Sequence, residues 1–268
     1  MITTEDQKKL QIEGRSVELV QRQWDYLQRG TPLLSGISPA TLDNQGITKL
    51  SLDEEKQALA FFNKQDGTLH WIKFIPASGA ASRMFSPFFE YKNARKNPNF
   101  RLDSYLDSEQ GKALKPLYQN LKKLPFFSSV QAQISMEEFP EATTPEGFFD
   151  TFVEVLLYDE RLQYPQIPKA LIPFFVDEVG QELTPFYAQL QEAIEVMDKK
   201  GVVHLHFTIS KEHRALFKEV EAQFRASQSA EINEFLKVEY SFQNRLTDTP
   251  FIDENNHWVR NKEGVIDF

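Results

Sequence analysis

The chain has 268 residues, a net charge of −9, 41% apolar residues and no cysteine. Without a run of Lys or Arg it lacks the basic footprint that nucleic acid or an anionic membrane surface requires. Without Cys it can use neither disulfides, nor thiolate catalysis, nor Cys-ligated zinc. No apolar run approaches the ~20 residues of a membrane span, and Met1 to Gly14 carries no apolar signal core. The expectation is a soluble cytoplasmic protein with no nucleic-acid or membrane partner. A small anion stays open as a ligand, because a few backbone N–H groups and local cations can hold one.

In chain order, Leu10, Val17, Val20, Trp24 and Leu27 recur at helical intervals and predict one helix from about Glu5 to Gly30. A Pro/Gly/Ser-rich loop runs from Thr31 to Thr41. A second helix is predicted from Leu52 to Asn63, with Ser51 as N-cap and Glu54 completing a capping box, so that Asp53, Glu54 and Glu55 form a solvated first turn. Residues 1–67 thus read as an N-terminal helical segment packed on a main domain, 68–268. From Thr68, the residues Leu69, Trp71, Phe74 and Ile75 predict a strand. It runs into Pro76-Ala77-Ser78-Gly79-Ala80-Ala81-Ser82-Arg83-Met84, where small residues are compressed into one turn and a helix begins.

Residues about 90–160 read as a helical insertion. Leu106, Leu114, Leu117 and Leu121 form one stripe. Thr144-Pro145 starts a helix that buries Phe148, Phe149, Phe152, Val153 and Leu156. Beyond it the pattern alternates. Ala170 to Val176 is strand-like, and Thr184-Pro185 opens a helix stopped by Gly201. Val203 to Ile209 alternates as a half-buried strand. Ser210 caps a helix carrying Leu216, Val220 and Phe224, and Leu236 to Phe242 alternates again. This order predicts an α/β fold with a mostly parallel, Rossmann-like sheet, whose ligands lie at the carboxyl ends of the strands.

A strand, a run of tiny residues and a helix make a candidate anion site. Backbone N–H groups approach the ligand closely, the helix dipole adds favourable charge, and Arg83 supplies a rigid fork. The generic signal is weak, since only Gly79 is a glycine. Neither the three-glycine dinucleotide fingerprint, nor the Gly-Lys-Ser/Thr loop, nor the Gly-x-Ser-x-Gly elbow is present. Packing alone would produce such a turn equally often. A second segment, Pro168-Lys169-Ala170-Leu171-Ile172-Pro173-Phe174, offers a lysine fenced by prolines. By itself Lys169 reads as a surface residue. His204 and His206 share one face of a strand but show no third zinc ligand, and Asp248 and Asp253 read as solvated loop carboxylates.

Taken together, Ala77-Ser78-Gly79-Ala80-Ala81-Ser82-Arg83-Met84 and Pro168-Lys169-Ala170-Leu171-Ile172-Pro173 resemble the Ala-Gly-Gly-x-Gly-Thr-Arg-Leu/Met and Pro-Lys-x-Leu-x-Pro segments of nucleotidyltransferases that make NDP-sugars. The chain is more similar still to the DUF4301 family, through those segments and Thr184-Pro185-Phe186 with Leu190. His206-Phe207-Thr208-Ile209-Ser210-Lys211-Glu212-His213, Ser241-Phe242-Gln243 and Thr247-Asp248-Thr249 extend the match. The resemblance runs from about Lys73 onward, outside the Phe-rich insertion. It implies a GT-A-like nucleotidyltransferase whose partners are an NTP and a sugar phosphate.

On that resemblance, Ala77, Ser78, Gly79, Ala80, Ala81 and Ser82 bind the nucleotide phosphates. Arg83 neutralises the leaving pyrophosphate, Lys169 sits on the α-phosphate or the incoming phosphate, and Gln243 reads the base. Mg²⁺ bridges phosphates, with its protein ligand expected beyond this chain, which looks shorter than its relatives. Three departures bear on the reading. Ser78 and Ala81 stand where the transferases carry glycines, about 85 residues separate Arg83 from Lys169, and a later Gly-rich segment is missing. A non-catalytic nucleotide or sugar-phosphate binding module, or a scaffold, is the alternative.

Overall fold

The computed structural model describes residues 2–30, 33–42, 46–64, 71–135, 139–197 and 203–268. Two compact units divide the chain: residues 1–64 with 243–268, and residues 65–242. The expected boundary near residue 67 falls close to the first division. Residues 243–268 group with the N-terminal helices, and the whole of the parallel sheet lies in the second unit.

In the first unit, α1 (Thr4–Ile12) and α2 (Val17–Arg29) replace the single helix expected over residues 5–30. Gly14 adopts φ +71° between them, and the Ser16 hydroxyl accepts the Leu19 N–H to start α2 afresh. The apolar period carries across the break, so it could not reveal it. Helix α3 (Leu52–Asn63) has the expected bounds and capping box. Leu10, Val20, Trp258 and Ile266 form the buried core of this unit. It is held by Asp6, whose carboxylate accepts N–H groups from Thr3, Ile266 and Arg260. Of the loop expected over residues 31–41, Thr31 and Pro32 lie outside the described residues.

The second unit is a mixed α/β structure around a small parallel sheet. Strands β1 (Ile72–Pro76), β4 (Val203–Ile209) and β5 (Leu236–Phe242) pair in that order. Thr68 and Leu69, expected in the first strand, lie outside the described residues, as does Gly201. The segment 170–176 is not the expected strand. Lys169–Leu171 is a 3₁₀ turn, and only β2 (Phe175–Val176) forms a strand, pairing antiparallel with β3 (Glu182–Leu183). Pro173 has no N–H to give a ladder, which disfavours a longer strand through it.

Helices α4 (Ser86–Ala94), α5 (Leu102–Leu106), α6 (Leu114–Gln119), α7 (Phe127–Gln131) and α8 (Pro145–Tyr158) occupy the insertion. Thr144 caps α8 through the Gly147 N–H, and Phe149, Phe152, Val153 and Leu156 are buried as the period requires. Helix α9 (Pro185–Met197) begins with Thr184 accepting the Tyr187 N–H. Ser210 precedes a 3₁₀ turn, Lys211–His213, and its side chain caps nothing. Helix α10 (Arg214–Ala226) starts one turn later than expected. Helix α11 (Ala230–Phe235) completes the set.

Phe207, Ile209, Phe186 and Phe217 lie in one core cluster, with Phe186 packed edge-on against both Phe207 and Phe217. The sheet therefore buries one face under α9 and α10. The opposite face carries His204, His206, Thr208, Glu239 and Ser241, and on β1 it leaves Ile72 and Phe74 exposed.

Candidate functional site

Strand β1 delivers the small-residue turn to the carboxyl end of the sheet. The Ala77 N–H donates to the Thr208 carbonyl of β4 at 2.8 Å, which pins the start of the turn to the neighbouring strand. Ala77 and Ala81 are buried, and the chain re-forms as a 3₁₀ turn over Ser82–Phe85 that leads into α4. Between these anchors, the N–H groups of Ser78, Gly79 and Ala80 have no hydrogen-bond partner among the described residues. Gly79 faces open space, because a Cβ built there meets nothing within 4 Å. Arg83 is exposed and forms no ion pair with a described residue.

Lys169 reaches this turn by a route the sequence did not indicate. Its own N–H donates to the Gly79 carbonyl at 3.0 Å, and Pro168 bridges Ala80 in antiparallel fashion. The expectation that Lys169 and the turn lie together holds through a backbone clasp between two loops. The Lys169 side chain is exposed and forms no ion pair with a described residue.

A cleft of about 320 Å³ opens beside the clasp, lined by Ala77, Gly79, Lys169, Pro185, Gln189 and Phe207 among others. Its floor is apolar, and its polar groups are the lysine, one amide and main-chain atoms. Gln189 had no motif to announce it, but it lies one helical turn after Phe186, on the same face of α9, and Phe186 also lines the cleft. Lys73 on β1 is held by Glu192 of α9 at 2.7 Å, so this basic residue is already neutralised and α9 is fixed against the strand.

Gln243 does not line the cleft. It follows β5 directly, belongs to the first unit, and its Nε2 stands 3.5 Å from Asp248 Oδ1. Asp253 accepts the N–H groups of Asn255 and His257 and so closes its own loop. On the open face of the sheet His204 Nε2 lies 2.8 Å from Glu239 Oε2, while His206 Nε2 lies 2.8 Å from Ser241 Oγ. Lys237 and then His204 hold the Glu239 carboxyl down at about 2. No group of three or more metal-ligating side chains occurs among the described residues.

The family match follows the geometry. The model of a domain of unknown function, DUF4301, matches residues 3–268. The chain belongs to the DUF4301 family. The match covers both units, including α1 and α2, which lie outside the stretch where the motifs resemble that family. No curated protein and no solved structure matches this DUF4301 chain.

Proposed function

We propose that this DUF4301 protein binds the phosphates of a nucleoside triphosphate at the Ser78–Arg83 turn and transfers the nucleotidyl group to a sugar 1-phosphate, on a Rossmann-like, GT-A-like scaffold. The observation that carries the reading is the clasp between Lys169 and Gly79. Among the described residues it puts an unpaired lysine beside a run of three unpaired backbone donors, and of these Gly79 shares one cleft with Lys169. Consecutive free N–H groups form an anion-binding concavity, and a lysine adds a point charge to it.

In the reaction, an oxygen of the acceptor phosphate attacks the α-phosphorus. The bond from the α-phosphorus to the bridging oxygen of the β-phosphate breaks, and pyrophosphate leaves. Little covalent work falls to the protein, so positioning and charge stabilisation carry the rate. The Ser78, Gly79 and Ala80 N–H groups hold phosphate oxygens, Lys169 neutralises charge at the α-phosphate or acceptor, and Arg83 that of the departing pyrophosphate. The Mg²⁺ such chemistry uses has no fitting ligand set here. The described lining of the cleft offers no carboxylate, and an octahedral Mg²⁺ site is built from oxygen donors. No step is therefore assigned to a metal held by these residues.

The test is pyrophosphate–NTP exchange and NTP binding by calorimetry with Arg83→Ala and Lys169→Ala. Each change is expected to lower exchange at least a hundredfold. Exchange that survives both removes the assignment. The absence of a carboxylate from the cleft favours a second reading, a binding module. There Lys169→Ala abolishes NTP binding, although the parent protein releases no pyrophosphate.

A further inference from the structure

A cavity of about 590 Å³ lies in the helical insertion, between the two segments of the clasp in sequence. That volume suits a small-molecule pocket. Its walls come from the 3₁₀ turn Leu121–Lys123 with the end of α6, from α7, and from the start of α8. Three features separate it from an ordinary packing defect. The rings of Tyr118, Phe127 and Phe148 line it and remain only half-buried, so they present apolar surface to the space. They are also firmly held. Tyr118 packs edge-on against the buried Phe149 at 4.8 Å, and Phe127 stacks on Phe152 at 5.6 Å. Lys122 and Lys123 both line the cavity, and neither makes an ion pair with a described residue.

Charge completes the argument. The chain carries 39 acidic against 30 basic residues, yet no described residue lining this cavity is a carboxylate. Two adjacent lysines without acidic partners among the described residues, beside an aromatic space, complement a negative group joined to an apolar body. We propose that this cavity binds a small molecule with one anionic group, a carboxylate or a phosphate monoester, on a ring-sized apolar body. The rings of Tyr118, Phe127 and Phe148 cover the body, and the Lys122 and Lys123 ammonium groups meet the anion.

The experiment is calorimetric titration of the full chain with 4-phenylbutyrate and with phenyl phosphate. The neutral 4-phenylbutanamide serves as the matched control. At least one anion is expected to bind with a stoichiometry of one, and the tighter of the two identifies the head group. The amide binds at least tenfold more weakly. Lys122→Gln with Lys123→Gln weakens the anion at least tenfold and leaves the melting temperature unchanged, because both side chains are exposed. Arg83→Ala with Lys169→Ala leaves this binding intact, which separates the site from the nucleotide cleft. The proposal is overturned if neither anion binds, if the amide binds as well as the acid, or if the double glutamine variant binds like the parent protein.

Discussion

Gly79 is the residue at which fold and proposed chemistry can be told apart. Its carbonyl is committed to the Lys169 N–H, while among the described residues its own N–H has no partner and its Cα face is open. Its φ lies outside the left-handed region, so alanine fits the backbone without strain. Gly79→Ala should therefore leave the melting temperature unchanged or slightly raised, the unfolded chain losing freedom worth about 0.4–1 kcal/mol. The added methyl stands in the space an incoming phosphate would use, so NTP affinity should fall at least tenfold. Unaltered affinity, measured by calorimetry, would mean that no anion approaches the turn at this point. The small residue here is not required by packing, a distinction that composition alone cannot make.

Helices show most clearly what the sequence makes legible. Most starts written by a side chain are read correctly: Ser51 for α3, Thr144 for α8 and Thr184 for α9 make capping bonds, whereas Ser210 caps nothing. Breaks that preserve the apolar period are not, as the split between α1 and α2 shows. The clasp on Gly79 was legible only as two motifs, because the contact is made by main-chain atoms that carry no residue signature. Gln189 was missed for a related reason: its place on the cleft follows from the orientation of α9. A backbone constraint of the same kind is expected to dominate at Gly147 in the first turn of α8. A Cβ there would stand 1.9 Å from the Glu141 carbonyl oxygen, which cannot withdraw without moving the 3₁₀ turn Pro140–Thr143. Gly147→Ala should cost roughly 1–3 kcal/mol despite alanine's better helix propensity. A chemical-denaturation midpoint equal to that of the parent would show that the carbonyl yields freely.

Across the molecule, carboxylates held down in the folded state tie stability to pH, and in the first unit the buried one is Asp6. Burial would raise its carboxyl, but the Arg260 guanidinium and the Thr3 and Ile266 N–H groups hold it down to about 2. A carboxylate depressed in the folded state contributes stability in full above its ordinary value near 3.8, and that contribution disappears as pH falls through about 2. The contribution is about 2 kcal/mol. Asp6→Asn should reduce the acid sensitivity of the first unit between pH 4 and 2, read by Trp24 and Trp258 fluorescence, since their rings lie 5.9 Å apart in its core. A parent and variant with the same acid profile would discount the carboxylate. The Asp6 tie has a further consequence for the order of events during synthesis. It joins residue 6 to residues 260 and 266, so the first unit is assembled from two separated stretches while the second is continuous between them. A ribosome moving from start to stop will release a complete 65–242 segment before the acceptor waiting at residue 6 can meet its donors. The unit that begins first must then be the last to close.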